Sequence, residues 1–241
     1  MQNVQQSMNM QPDEVIQQAR YTQVAADFDS LHADIEHIVA LSFLTGMLDF
    51  AKVKSVLDVG AGTGRAMHFL QHHHPELRVV GVEPVEALRR VAYEKGIPPG
   101  SLIEGNGYEL PFRDGEFDLV CEVGVLHHVR HPSRVLAEML RVGAKGIFLS
   151  DSNNFGGGSG PGRLLKQSLR ALHLWPLVQF VTTRGKGYHI TDGDGLHYSY
   201  SVFNNLEQIR RICPRLYMLN TGPGGPNLYR SASHIALLAL R

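Results

Sequence analysis

The stretch that most constrains this chain is SVLDVGAGTGR, Ser55 to Arg65, where an apolar run breaks into glycines on alternate positions, Gly60, Gly62 and Gly64. Glycine adopts positive φ at no steric cost and lets a backbone approach a neighbour or ligand closely. The residues that follow, RAMHFLQHHHP, have helical spacing and stop at Pro75. A buried strand, a tight turn and a helix are therefore predicted in succession, the opening of a βαβ unit.

The same rhythm continues. LRVVGVEP reads as a second strand ending in Glu83, VEALRRVAYEKG as a helix closed by Gly96, and SLIEGNG as a short strand. FDLVCEVGV is another strand, PSRVLAEMLRVG a helix opened by Pro132, and KGIFLSDSN a further strand. Strands alternating with helices indicate an α/β fold with a doubly wound, mostly parallel sheet. RLYMLNTG and SHIALLALR form two late strands around a Gly/Pro turn. Residues 1–12, rich in Gln, Asn and Met, are expected to be disordered, and 13–50 to form a helical cap. In that cap Phe28, Leu31, Ile35, Ile38 and Val39 are expected to line one helical face. Residues 53–154 then form the cofactor-binding core, 155–205 a substrate-side insertion or lid, and 206–241 a C-terminal helix and strands, all within one domain spanning 13–241.

A chain of 241 residues with 43% apolar content is enough for one such domain. Its 23 basic and 23 acidic residues argue against a general attraction to nucleic acid or anionic membrane. No apolar run approaches the ~20 residues that span a bilayer, and the first residues lack the basic and apolar regions of a signal peptide. Cys121 and Cys213 are too few for a disulfide framework. A cytoplasmic protein is the expectation.

Glycine turns of this kind serve nucleoside triphosphates, dinucleotides and S-adenosylmethionine, or no ligand at all. A phosphate-binding P-loop needs Lys and then Ser or Thr after its last glycine, and Arg65-Ala66 stand there. A dinucleotide fingerprint asks for glycine at 65. Glu83 lies 19 residues beyond Gly64, where a carboxylate accepts the hydroxyls of a ribose. Asn106, after the third strand, offers an amide oxygen to an adenine amino group.

In this order, VLDVGAGTG, VVGVEP, GNGYELPFRDGEFDLV and VLHHVRHPSRVLAEMLRV resemble the class I S-adenosylmethionine-dependent methyltransferases, particularly the small-molecule branch that includes the quinone-biosynthesis type. The resemblance covers roughly residues 53–150. It implies a Rossmann-like sheet whose C-terminal strand is antiparallel, with S-adenosyl-L-methionine as cofactor. It further implies that Asp58, Gly60, Ala61, Gly62 and Gly64 surround the methionine part of that cofactor. Glu83 and Pro84 would meet its ribose, and Asn106 and Gly107 its adenine, with Asn106 standing where family members often carry Asp. Glu122 and, from the N-terminal helices, Tyr21 complete the implied cofactor set.

The acceptor in such a fold sits beyond the fourth and fifth strands. His127, His128 and Asp151 are thereby candidates for catalysis, an imidazole being suited to deprotonating a hydroxyl near neutral pH. Asn153, Asn154, Trp175, Tyr188, His189, His197, Tyr198 and Tyr200 are candidates for binding a small-molecule methyl acceptor. No metal is expected. The metal-assisted alternative is an oxygen set for Mg²⁺ of Asp151, Glu122 and Asn153 or Asn154, to which TDGDG could add Asp192 and Asp194, although Asp-Gly pairs read first as turns. His72, His73 and His74 read as a surface helix end. The rival readings are a nucleic-acid methyltransferase, which lacks its Asn/Asp-Pro-Pro-aromatic motif here, a non-catalytic binder, and a nicotinamide-dependent reductase. A hydroxyl oxygen of a natural product, quinone-like or sugar intermediate is the expected acceptor, with N- or C-methylation as the alternative, and the acceptor's identity, metal dependence and the oligomeric state stay open.

Overall fold

The computed structural model describes residues 12–31, 35–191 and 194–241. The expected disordered segment lies, up to residue 11, outside these residues, whereas Pro12 opens a helix that runs to Val24. Seven strands form one sheet: β1 (Ser55–Val59), β2 (Arg78–Val82), β3 (Leu102–Ile103), β4 (Phe117–Val123), β5 (Gly143–Ser152), β8 (Arg215–Asn220) and β9 (His234–Leu240). The remaining pair, β6 (Tyr188–Thr191) and β7 (Gly195–Tyr198), makes a separate antiparallel ribbon.

The sheet order is β3-β2-β1-β4-β5-β9-β8. The first five strands are parallel, and β9 runs antiparallel to both β5 and β8. Side chains alternate along each strand, and here both faces are covered. Leu57 and Val59 pack with Phe117, Leu136 and Met139 on one side, while Val56 packs with Met67, Leu70, Leu119 and Phe148 on the other. The order reverses between β1 and β4, and a ligand crevice opens at that point beyond the strands' carboxyl ends.

The expected apolar face of the cap is corrected. Leu31, Ile35, Ile38 and Val39 are exposed, and the buried stripe of the helix Ile35–Leu48 is His37, Ala40, Leu41, Leu44 and Leu48. Two causes combine. A 3-10 turn at Ala25–Asp27 and a short helix, Phe28–Leu31, precede the helix at Ile35, so one helical phase does not run through the segment. Reading His37 as polar also hid the true stripe, whose spacing is equally helical. Phe28 itself packs with Tyr21, Val85 and Leu88. Within the stretch 181–203, which shows no period in sequence, Tyr188–Thr191 and Gly195–Tyr198 pair as the β6–β7 ribbon. Among the described residues no helix is long and apolar enough to cross a membrane.

Candidate active site

A cavity of about 550 Å³ opens at the switch point. One end is built by the glycine turn. Gly62 has φ +56°, and its N–H donates to Glu83 Oε2 at 2.9 Å, while the Val85 N–H donates to Oε1 at 2.8 Å. Each carboxylate oxygen is thus pinned by one backbone donor and keeps lone pairs for a ligand. Burial pushes the Glu83 carboxyl up to about 7. Asp58, at the end of β1, is also buried. Cys121 Sγ lies 3.7 Å from its Oδ1, and Oδ2 has no hydrogen-bond partner among the described residues. Burial raises its carboxyl to about 7 as well. An unsatisfied buried carboxylate oxygen is costly, and it suits a cationic ligand group.

Tyr21, Asp58, Gly60, Ala61, Gly62, Glu83, Pro84, Asn106, Gly107, His127 and His128 all border this cavity. Gly64 does not. It starts the helix Arg65–His73 at φ +76°, and a Cβ there would lie 1.9 Å from Ile97 Cδ1, so its glycine serves packing. Asn106 Oδ1 already accepts the Tyr108 N–H at 2.9 Å, which ties up part of its capacity toward an adenine.

The other end carries the histidines. Leu126–His128 forms a 3-10 turn after β4, held by Asp151. Asp151 Oδ2 accepts the N–H groups of Leu126 and His127 at 2.8 and 3.3 Å, and Oδ1 lies 2.8 Å from His127 Nδ1. His128 Nδ1 is 2.6 Å from the Leu196 carbonyl oxygen, a contact that places its proton on Nδ1. Both Nε2 atoms then face Asp194, His127 at 3.5 Å and His128 at 3.3 Å. Burial alone would lower His127, but Asp151 and Asp194 outweigh it and raise it well above the imidazole range. Burial and the neighbouring His127 charge lower His128. Asp151 and Asp194 lie well below the carboxylate range despite burial, because the histidine rings hold their charged forms.

Several expected site residues are corrected by their surroundings. Asp151 does not border the cavity; it positions the His127 ring from beneath. Glu122 is fully buried and away from the cavity, accepting the N–H groups of Val125 at 2.8 Å and Ser150 at 3.1 Å. Asn153 is spent on structure, its Nδ2 donating to the carbonyls of Leu228, Tyr229 and Ala232 and its Oδ1 accepting the Ser201 hydroxyl. With these three committed elsewhere, the oxygen-only metal cage does not exist. Asn154 Nδ2 and Trp175 Nε1 both donate to Ser199 Oγ, at 2.6 and 3.1 Å. Trp175, Tyr198 and Tyr200 border a second cavity of about 320 Å³ that shares Val129 with the first. Tyr188 meets Tyr198 edge-on across the ribbon, and His189 stacks on His197 at 5.8 Å; Tyr188, His189 and His197 do not border either cavity.

Asp194 and His37 are among the cavity residues that escaped the sequence reading. Asp194 looked like a turn former. His37 was hidden in the buried stripe of its helix, the one polar residue in an otherwise apolar helical spacing. It lies 3.0 Å from Ser150 Oγ and meets His234 edge-on at 4.9 Å. Burial, assisted by His234, lowers it to about 3. The unfolded chain then binds the proton that the folded chain excludes, so stability must fall as pH drops below about 6.5. Between pH 6.5 and 5 the loss attributable to His37 is expected to be about 2 kcal/mol. Urea unfolding of wild type and His37→Gln across this range checks it, and parallel curves for the two proteins would refute it.

The helix Pro12–Val24 lies along the cavity. Gln17 Oε1 accepts the Leu196 N–H at 2.7 Å, while Asp13 accepts Arg130 Nε–H at 2.9 Å and the Tyr198 hydroxyl. Tyr21 from this helix meets both Phe28 and His128 edge-on.

Residues 57–149 match the family described as "Methyltransferase domain". Norajmaline N-methyltransferase of Rauvolfia serpentina is 30% identical over 99 residues, 39% of this chain and 34% of that protein. Malonyl-[acyl-carrier protein] O-methyltransferase of Geobacter sulfurreducens is 32% identical over 162 residues, 63% of this chain and 57% of that protein. The chain thus spans less than two thirds of either relative. The fold is similar to that of the Burkholderia thailandensis 1,6-didemethyltoxoflavin-N1-methyltransferase, solved with 1,6-didemethyltoxoflavin and S-adenosylhomocysteine. That similarity has a TM-score of 0.58 and 17% identity, covering 96% of this chain and 90% of the other.

Proposed function

We propose, from the premise that residues 57–149 are a methyltransferase domain of the class I S-adenosylmethionine-dependent kind, that this chain methylates a hydroxyl oxygen of a small molecule. The observation that carries the reading is the single cavity bordered by Asp58, Glu83 and the glycine turn as well as by His127, His128 and Asp194. S-Adenosylmethionine, when bound, supplies an electrophilic methyl group on a sulfonium that departs as a neutral thioether.

The chain's own residues supply the rest. Glu83 accepts the ribose hydroxyls, and Asp58 Oδ2 receives the ammonium of the methionine part, which answers its unpaired state. Tyr21 covers the cofactor from the N-terminal helix. His128, neutral and fixed with its proton on Nδ1, presents Nε2 to the cavity and takes the proton of the acceptor hydroxyl. His127, charged between Asp151 and Asp194, stabilises the negative charge that develops on that oxygen. A proton acceptor at this place favours oxygen over an amine that is already neutral. The balance of 23 basic and 23 acidic residues supports a small molecule over nucleic acid, and a cytoplasmic setting accords with the same composition.

The test is a screen of hydroxylated acceptors for S-adenosylhomocysteine release, with His128→Asn beside wild type. The variant is expected to lose about 10²- to 10⁴-fold in kcat, the usual worth of a general base, with unchanged affinity for S-adenosylhomocysteine. Wild-type turnover in the variant, or a methyl group located on nitrogen or carbon of the product by mass spectrometry, would refute the assignment.

A further inference from the structure

We propose that His127, His128 and Asp194 form a binding site for one divalent transition-metal ion at the acceptor end of the cavity. His127, His128 and Asp194 each offer one ligand atom, and these atoms lie within 4.8 Å of one another. Each ring's other nitrogen is already committed, His127 Nδ1 to the Asp151 carboxylate at 2.8 Å and His128 Nδ1 to the Leu196 carbonyl at 2.6 Å. Metal-binding histidines are oriented in this way, with the second ring N–H given to a carboxylate or backbone carbonyl. Both Nε2 atoms consequently converge on the Asp194 anion, an arrangement that needs positive charge between the groups. Two protons or one dication would supply it.

The separations favour the dication. His127 Nε2 and His128 Nε2 stand 3.5 and 3.3 Å from the Asp194 oxygens, at or beyond the long limit of a charge-assisted hydrogen bond. Ligands bonded to zinc at ~2.0–2.1 Å in tetrahedral geometry are roughly 3.3 Å apart. The ligand chemistry also selects the ion. Two imidazoles and one carboxylate suit Zn²⁺, Fe²⁺ or Co²⁺, whereas Mg²⁺ prefers oxygen throughout. Three protein ligands leave a fourth position toward the cavity, the arrangement of a catalytic metal.

Binding of the ion rests on this geometry alone; its role rests on the methyl-transfer reading above. In the metal-loaded protein the acceptor oxygen takes the open position, the ion lowers its proton affinity, and its proton passes to water. His128 then serves as a ligand, and its function as base belongs to the metal-free protein.

The experiment is a calorimetric and visible-absorption titration of the full chain, free of any affinity tag and stripped with dipicolinate, with Co²⁺ and with Zn²⁺. His72 and His73 are replaced by alanine throughout, since that exposed pair at a helix end would bind metal on its own. Expected are one equivalent bound at micromolar affinity or tighter and cobalt bands of a four-coordinate nitrogen and oxygen site. Asp194→Asn and His128→Asn are expected to abolish the stoichiometric binding, and Asp151→Asn to weaken it 10- to 100-fold. Absence of stoichiometric binding in chain shown to be folded by circular dichroism, or binding unchanged by Asp194→Asn, overturns the site. S-Adenosylhomocysteine binding, measured on the same samples, separates the two readings. Cofactor without metal refutes only the metal site, and metal without cofactor refutes only the methyl-transfer reading.

Discussion

Asp151→Asn is expected to destabilise the chain by about 3–5 kcal/mol, the usual consequence of removing one partner of a buried ion pair, and to abolish most turnover. Asp151 is fully buried, and its two oxygens accept from His127 Nδ1 and from the N–H groups of Leu126, His127 and Ser152. Asparagine replaces one acceptor by an NH₂ that faces donors. It also removes the anion that holds the His127 ring charged and oriented. The pH dependence has a definite sign. Asp151 is depressed in the folded chain, so its contribution is present above about pH 3.8 and is lost as pH falls below that. His127 is raised, so its contribution is complete below about pH 6.5 and is lost as pH climbs toward its folded value, well above that. The wild-type advantage over the variant should therefore be greatest between about pH 4 and 6.5. Urea unfolding of both proteins at pH 5, 7 and 9 measures it. A difference under about 1 kcal/mol at pH 5 would mean that Asp151 is not the anchor of the histidine turn.

The second large effect concerns Glu83. Glu83→Gln is expected to weaken S-adenosylhomocysteine by about 10²-fold or more at pH 8, because hydrogen bonds to a charged acceptor contribute about 1.5–3 kcal/mol each. The glutamine also places an NH₂ against the N–H of Gly62 or of Val85. Since burial raises this carboxyl to about 7, the empty wild-type site is half protonated near neutrality. Cofactor affinity should then fall as pH drops below 7, approaching tenfold per pH unit, whereas Glu83→Gln should lack this component. Asp58 titrates in the same range and contributes in the same direction, so the comparison with Glu83→Gln is what isolates Glu83. A wild-type affinity that stays flat from pH 8 to 5.5 would remove Glu83 from the cofactor contact.

These contrasts show where the site was legible in sequence. The turn Gly60–Gly62, Asp58 and Glu83 are set by local chemistry: a strand end, positive φ and an acid one strand away. Residues that close the site from a distance were not. Asp194 reaches His127 across 67 positions and was read as part of an Asp-Gly turn. Glu122 and Asp151 were correctly placed at the ends of β4 and β5, but whether a strand-end acid faces a cavity or supports a loop is decided by which N–H groups surround it. Both support loops. Asn153 went the same way, its four hydrogen bonds all internal. The sheet was readable because apolar strand runs alternate with helices at short spacing. The β6–β7 ribbon was not, since its pairing depends on contacts that carry no period.

The Asp13 and Gln17 contacts of the helix Pro12–Val24 carry a consequence for traffic. A ligand lying beside that helix would be held in by its bonds to Arg130, Tyr198 and Leu196. Since one of these contacts is an ion pair, dissolved electrolyte is expected to loosen this latch. A brake on ligand exit at this helix would sit far along the sequence from the histidine turn that it borders.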